Sequence, residues 1–131
     1  MPDIASHPIH LGPGGTAVVQ SPIDGPDWYL AYAARHLADG AEGWLVAQHG
    51  FDRSWAQWEV HPHGAEIVLC LSGRLTLIQQ AEGTDPVRVE LRAGGYAINA
   101  PGVWHTADLA EGETAVCLFI TPGAGTDHRP R

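Results

Sequence analysis

The chain has 131 residues, enough for one compact domain with a core of its own and too few for two. Fifteen acidic against seven basic residues leave a formal charge of -8 at pH 7, which argues against nucleic acid or an anionic membrane as partner. All seven basic residues are arginine, so Schiff-base lysine chemistry and a Walker-type phosphate loop are excluded by inventory.

Hydrophobic content of 44% with 17% charged residues, 16 Gly and 10 Pro describes a well-cored, turn-rich globular protein. From Met1 to about Pro26 the text is rich in Pro and Gly, with turn punctuation around one strand-like piece, Thr16 to Gln20, and reads as an arm wrapped on the rest. Met1 to His10 hold no cationic patch followed by an apolar run, and no stretch reaches the roughly 18 apolar residues that span a bilayer. The expectation is a soluble, cytoplasmic protein. Asp27 to Gly40 reads as a helix with Asp27 as N-cap, Gly40 just past its end, and Trp28, Tyr32 and His36 spaced by four. The rival reading is a strand through Trp28, Leu30 and Tyr32.

After Gly43 the period changes to two. Strands are predicted at Trp44 to His49, Gln57 to His61, Glu66 to Leu71, Arg74 to Gln80, Val87 to Leu91, Tyr96 to Asn99, Trp104 to Asp108 and Thr114 to Thr121. Turn signals such as His63-Gly64, Ser72-Gly73 and Pro101-Gly102 separate them. Eight short strands at this spacing predict an all-β closed barrel or sandwich, because an open sheet would leave its edges unpaired. The domain therefore divides into an arm (1–42), a barrel core (43–121) and a polar tail (122–131) that either frays or lies across the barrel. Cys70 and Cys117 each sit in an apolar run, as buried free thiols do, and Arg129 and Arg131 read as a charged tail.

The densest polar cluster is Trp58-Glu59-Val60-His61-Pro62-His63-Gly64-Ala65-Glu66. Side chains alternate along a strand, so Glu59 and His61 share one face. A turn over Pro62 to Ala65 lets the next strand return antiparallel with Glu66 opposite them, Val68 and Cys70 following on the same side. A second segment, Gly94 to His105, strings a glycine turn, a short strand and a Pro-Gly turn before His105.

Together the two segments resemble the signature motifs of the cupin superfamily, small jelly-roll barrels that hold a divalent metal on inward His and Glu side chains. The resemblance spans roughly residues 43–121. It matches Glu66 and, further on, Gly73 to the glutamate and closing glycine of the first motif, and Gly102 with His105 to the Gly-x-x-His element of the second. His61 stands as the second histidine of the family's His-x-His pair, which puts Glu59 where the first histidine belongs. Pairing His61 with His63 would leave only two residues before Glu66, so that register is rejected. Ala100 replaces an expected proline and Leu109 an asparagine. What the resemblance implies is a ligand set of Glu59, His61, Glu66 and His105 around Fe, Mn, Ni, Co or Zn, with a small organic molecule as ligand or substrate and a homodimer as the assembly.

Four such ligands would saturate tetrahedral Zn²⁺, whereas an octahedral ion would keep two positions open. Without metal, two carboxylates side by side would compete for a proton, poising Glu59 as a catalytic general base. Three roles stay open: a metal-dependent oxygenase or isomerase, a non-catalytic ligand-binding module, and a structural protein that mainly dimerises. His63 reads as a solvated turn residue, and His7, His10, His36, His49 and His128 as surface groups without partners. Trp44, Trp55, Trp58 and Trp104 read as core or interface aromatics, with room for one or two at the barrel mouth.

Overall fold

The computed structural model of the chain describes all 131 residues. Its strands are β1 (Ile9–Gly12), β2 (Thr16–Val19), β3 (Trp44–Phe51), β4 (Gln57–Val60), β5 (Glu66–Gln80), β6 (Val87–Arg92), β7 (Tyr96–Asn99), β8 (Trp104–Asp108), β9 (Ala115–Thr121) and β10 (Asp127–Pro130), with one helix, α1 (Pro26–Arg35). Every pairing is antiparallel. One sheet runs β2-β1-β3-β9-β5-β7 and the other β10-β4-β8-β5-β6. The fold is the expected all-β jelly-roll barrel, and no helix is long and apolar enough to cross a membrane.

Strand β5 belongs to both sheets. Its first half pairs with β9 and β7 and its second with β8 and β6, the change coming between Gly73 and Arg74, just past a bulge between Cys70 and Ser72. Two strands expected at Glu66 to Leu71 and Arg74 to Gln80 are thus one bent strand; Ser72-Gly73 bends the chain without ending the ladder. Gly73 has φ +75°, and a Cβ there would lie 1.8 Å from the carbonyl oxygen of Thr114, so the bend needs glycine.

Alternation along the strands fills the space between the sheets. Val68, Cys70, Leu75, Leu77 and Cys117 are essentially unexposed and form the floor beneath the polar site. Cys70 faces Cys117 across β5 and β9, both as free thiols, and burial followed by the charge of Cys70 pushes the Cys117 thiol up to about 12.

The N-terminal segment departs from the expectation in three ways. Ile9–Gly12 is an additional strand, inserted between β2 and β3, whose Ile-His-Leu-Gly text carries too little alternation to stand out. The helix starts at Pro26, with Gly25 rather than Asp27 as N-cap, because proline is preorganised for the first helical position. It ends at Arg35, and Leu37–Glu42 continues as a 3₁₀ stretch. The helix reading holds over the strand reading: Trp28 and Tyr32 stack at 5.3 Å and bury one face of α1 on Leu45 and Ala47 of β3.

His10 and His36 are not solvated surface groups. His10 is 2% exposed; its Nδ1 meets the Tyr32 hydroxyl at 2.6 Å and its Nε2 meets Asp39 Oδ2 at 2.6 Å. The His36 ring stacks on it at 3.6 Å and takes a hydrogen bond from Gln20 Nε2 at 3.1 Å. The partners of His10 on α1 and the 3₁₀ stretch lie 22 and 29 residues away, beyond any local spacing rule. Both His10 nitrogens are engaged, so this cluster is a strut tying the arm to the helix.

The tail is also fixed. Strand β10 pairs with β4, the Arg129 guanidinium lies 4.3 Å from the Trp104 ring and 5.5 Å from the Trp58 ring, and Arg131 Nη1 meets Asp108 Oδ1 at 2.7 Å.

Candidate metal centre

Four adjacent strands place one polar row. Glu59 of β4 pairs with His105 of β8 on one side and with His128 of β10 on the other, and His105 pairs with Gln79 of β5. Directly paired residues share a face, so these side chains gather on the inner side of the barrel. His61 follows β4, its carbonyl accepting from the Gly102 backbone N–H at 3.1 Å, which joins the turns of the two sequence segments. Glu66 opens β5 and pairs with Asn99 of β7.

Glu59, His61, Glu66 and His105 therefore meet, each offering one donor atom, with all four atoms within 4.8 Å of one another. His61 Nε2 lies 2.9 Å from Glu59 Oε1 and 3.0 Å from Glu66 Oε2, and His105 Nε2 lies 3.1 Å from Glu66 Oε1. His61, Glu66 and His105 are buried, while Glu59 is 29% exposed at its side chain.

These contacts are short but badly aimed. Neither His61 Nε2 nor His105 Nε2 makes a directional hydrogen bond, and His105 Nδ1 has no partner either. Orphaned buried ring nitrogens are costly unless something satisfies them. Metal–ligand bonds of about 2.1 Å would set neighbouring donors about 3 Å apart, the spacing found here. The donor set fits a divalent ion.

Glu66 is held by a second layer. Its Oε1 accepts from Asn99 Nδ2 at 3.1 Å and its Oε2 from the Thr121 hydroxyl at 2.6 Å, while Gln79 Nε2 donates to Asn99 Oδ1 at 2.8 Å and fixes that amide. Burial would raise the Glu66 pKa, but the histidines beside it outweigh burial and hold it well below the usual carboxylate range. Burial likewise would lower the His61 pKa; Glu59 and Glu66 overcome this and hold it up at about 9. In the metal-free protein the cluster stores a proton on His61 between two carboxylates.

Sequence reasoning left out several residues around this centre. Asn99 and Thr121 had a signal, since each stands two residues from a buried side chain, Ala97 and Phe119, on its strand. His49, expected at the surface, pairs with Cys117 on β9 and turns inward, its ring 5.6 Å from Phe119. Burial lowers its pKa against the opposing pull of Glu59 and Glu66. Phe51, Trp55 and Phe119 pack with one another, and Trp55 lies 6.3 Å from the His105 ring, so an aromatic wall adjoins the polar cluster. His128 is half exposed, yet its Nε2 lies 3.4 Å from Glu59 Oε2, which a tail read as free could not foretell. His63 is exposed in its turn, as expected.

No curated protein matches the chain. Among solved structures, an uncharacterized conserved protein with a double-stranded beta-helix domain from Klebsiella pneumoniae is 25% identical, with a TM-score of 0.55 over 67% of this chain and 76% of that one. An oxalate oxidase is 18% identical, with a TM-score of 0.55 over 63% of this chain and 44% of that one. The chain thus spans less than half the length of that enzyme. Peruvianin-I, a cysteine peptidase from Thevetia peruviana latex, reaches a TM-score of 0.55 at 14% identity, over 66% of this chain and 56% of that one. Shared fold among proteins this different carries no activity from one to another. The sequence pattern described as a cupin domain matches residues 51–121, more than half the chain and the stretch that supplies all four converging side chains, and the chain belongs to the cupin family.

Proposed function

We propose that this cupin binds a divalent metal ion through Glu59, His61, Glu66 and His105 and acts on a small organic molecule by oxygenase- or isomerase-type chemistry. The observation that carries this reading is the set of buried imidazole nitrogens without hydrogen-bond partners, facing two carboxylates at ligand-like spacing. A bound Fe, Mn, Ni or Co ion would supply Lewis acidity and open coordination positions, whereas Zn could be saturated by these four ligands. Two carboxylates neutralise a divalent charge, so the centre is a weaker Lewis acid than one built on three histidines and one glutamate.

The protein's own part is positioning and proton handling. Glu66, fixed by Asn99 and Thr121, is the rigid anchor. Glu59, the more exposed carboxylate, is the catalytic group that accepts a proton from the substrate. The wall of Phe51, Trp55 and Phe119, with His49 beside it, favours a compact ligand with an apolar portion. Elemental analysis of the purified protein should find one divalent ion per chain, lost in His61→Ala and His105→Ala. Protein that refuses Fe²⁺, Mn²⁺, Ni²⁺ and Zn²⁺ overturns the reading.

A second reading is favoured by the exposure of Glu59. Proton abstraction by that carboxylate needs no ion, and it predicts turnover in chelator-treated protein that Glu59→Gln abolishes. We also propose a homodimer, supported by Val18 and Val19 on the outer strand β2 and Tyr96 and Ile98 on β7, all exposed. Light scattering that returns the monomer mass overturns it.

A further inference from the structure

We propose that Thr126, delivered by the C-terminal strap, is a positioning residue that biases the tautomer of His61 toward the one ready to bind metal. The inference rests on the metal-binding reading above, but its geometry stands apart from it. The Thr126 hydroxyl has one proton. It lies 2.9 Å from the carbonyl oxygen of Gly123, an acceptor only, so the proton is spent there. The same oxygen lies 2.8 Å from His61 Nδ1. With its proton committed, it accepts from Nδ1 and favours the neutral tautomer whose Nε2 lone pair faces Glu59, Glu66 and His105, against the pull of the two carboxylates on an Nε2 proton.

The strap is built to hold that oxygen in place. Pro122 is buried, and a Cβ on Gly64 would lie 2.5 Å from its ring. Gly125 has φ +75°, and a Cβ there would lie 2.9 Å from His63 and 3.1 Å from Pro62. Glycine on each side lets 122–126 close onto the turn after His61. Beyond it, β10 is locked onto β4 in a register that sets Asp127 against Val60 and His128 against Glu59. Arg129 on Trp104 and Arg131 on Asp108 pin the far end. Thr126 therefore reaches His61 across 65 residues of sequence through a fixed ladder.

The test compares full-length wild type, Thr126→Val, which keeps the shape and removes the hydroxyl, and Thr126→Ser, which restores it. Ring ¹⁵N NMR of metal-free protein at about pH 10, above the His61 pKa of about 9, reads the tautomer without any metal. A larger Nδ1–H share is expected in wild type and Thr126→Ser than in Thr126→Val, where nothing opposes the pull of Glu59 and Glu66 on an Nε2 proton. Calorimetric titration with Mn²⁺ and Zn²⁺ is expected to show affinity about 10–100-fold weaker for Thr126→Val and close to wild type for Thr126→Ser. An Nδ1–H share no larger in wild type than in Thr126→Val, or a Thr126→Val protein with wild-type affinity, overturns the inference. A wild type that binds neither ion while keeping a larger Nδ1–H share than Thr126→Val overturns the metal-binding reading and the affinity role of Thr126 with it, leaving its hold on the His61 ring standing.

Discussion

Glu66 is the residue on which the centre turns. It is 2% exposed, ionised, and touched by His61, His105, Asn99 and Thr121, so its charge is stabilised from four directions. Replacing it by Gln keeps the volume but removes the charge that His61 pairs with, leaving an imidazolium with only the half-buried Glu59 beside it. Breaking a buried pair from one side costs about 3–5 kcal/mol. Urea denaturation of metal-free Glu66→Gln should therefore show a loss of that order, together with a His61 pKa lowered toward the ordinary imidazole value. Tyr32→Phe is the milder counterpart in the arm: it strips the hydroxyl from His10 Nδ1 and should cost about 1–3 kcal/mol by the same denaturation. At this scale the sequence was legible where alternation and turns did the placing. Glu59, His61 and Glu66 could be put on one face because strand geometry is periodic and the turn between them is short. His10, His49 and Thr126 could not, since their partners lie on strands whose pairing no local pattern encodes.

At the scale of elements, the site depends on a bend in β5 that brings Glu66 into one sheet and Gln79 into the other. The predicted strand ends agree closely with those observed from β6 to β9, where turn signals close each strand. The same logic divided β5 in two, because Ser72-Gly73 carries a turn signature, whereas ladder pairing to β9 runs on through Gly73. Here the glycine serves close approach rather than termination. Gly73→Ala must move the Thr114 carbonyl, 1.8 Å from the new Cβ, and also holds a left-handed φ. The expected outcome is a loss of about 3 kcal/mol or more, or failure to fold. Its measurement is the urea midpoint against Gly83→Ala, a control at a solvent-facing turn with the same sign of φ and no neighbour within 4 Å. Equal losses in the two variants would show that backbone strain alone, and not the clash at the bend, sets the cost.

Over the whole molecule, titrating groups that the fold perturbs in opposite directions bound the stability of the metal-free protein on both sides. His61, raised to about 9, contributes stability that is complete below the ordinary imidazole value of about 6.5 and is lost as pH rises through 9. On the order of 3 kcal/mol is at stake. Glu66 has a depressed pKa, so its contribution is present above the ordinary carboxylate value and is lost as pH falls toward its folded-state value. His36, lowered by burial and by the stacked His10, works in the same sense: below about pH 6.5 the unfolded chain takes up a proton that the folded strut resists. Metal-free protein should therefore melt highest near pH 6.5 and lower toward both acid and base. If the ion binds as proposed, saturating metal should act most on the alkaline limb, because an ion on His61 Nε2 would take the place of the proton and bind best once that proton has gone. At about 100 times the dissociation constant it adds about 2.7 kcal/mol. Melting temperatures scanned over pH with chelator and with Mn²⁺ check this. An alkaline decline that persists unchanged with metal bound would mean that His61 keeps its proton, and with it that the ion sits elsewhere.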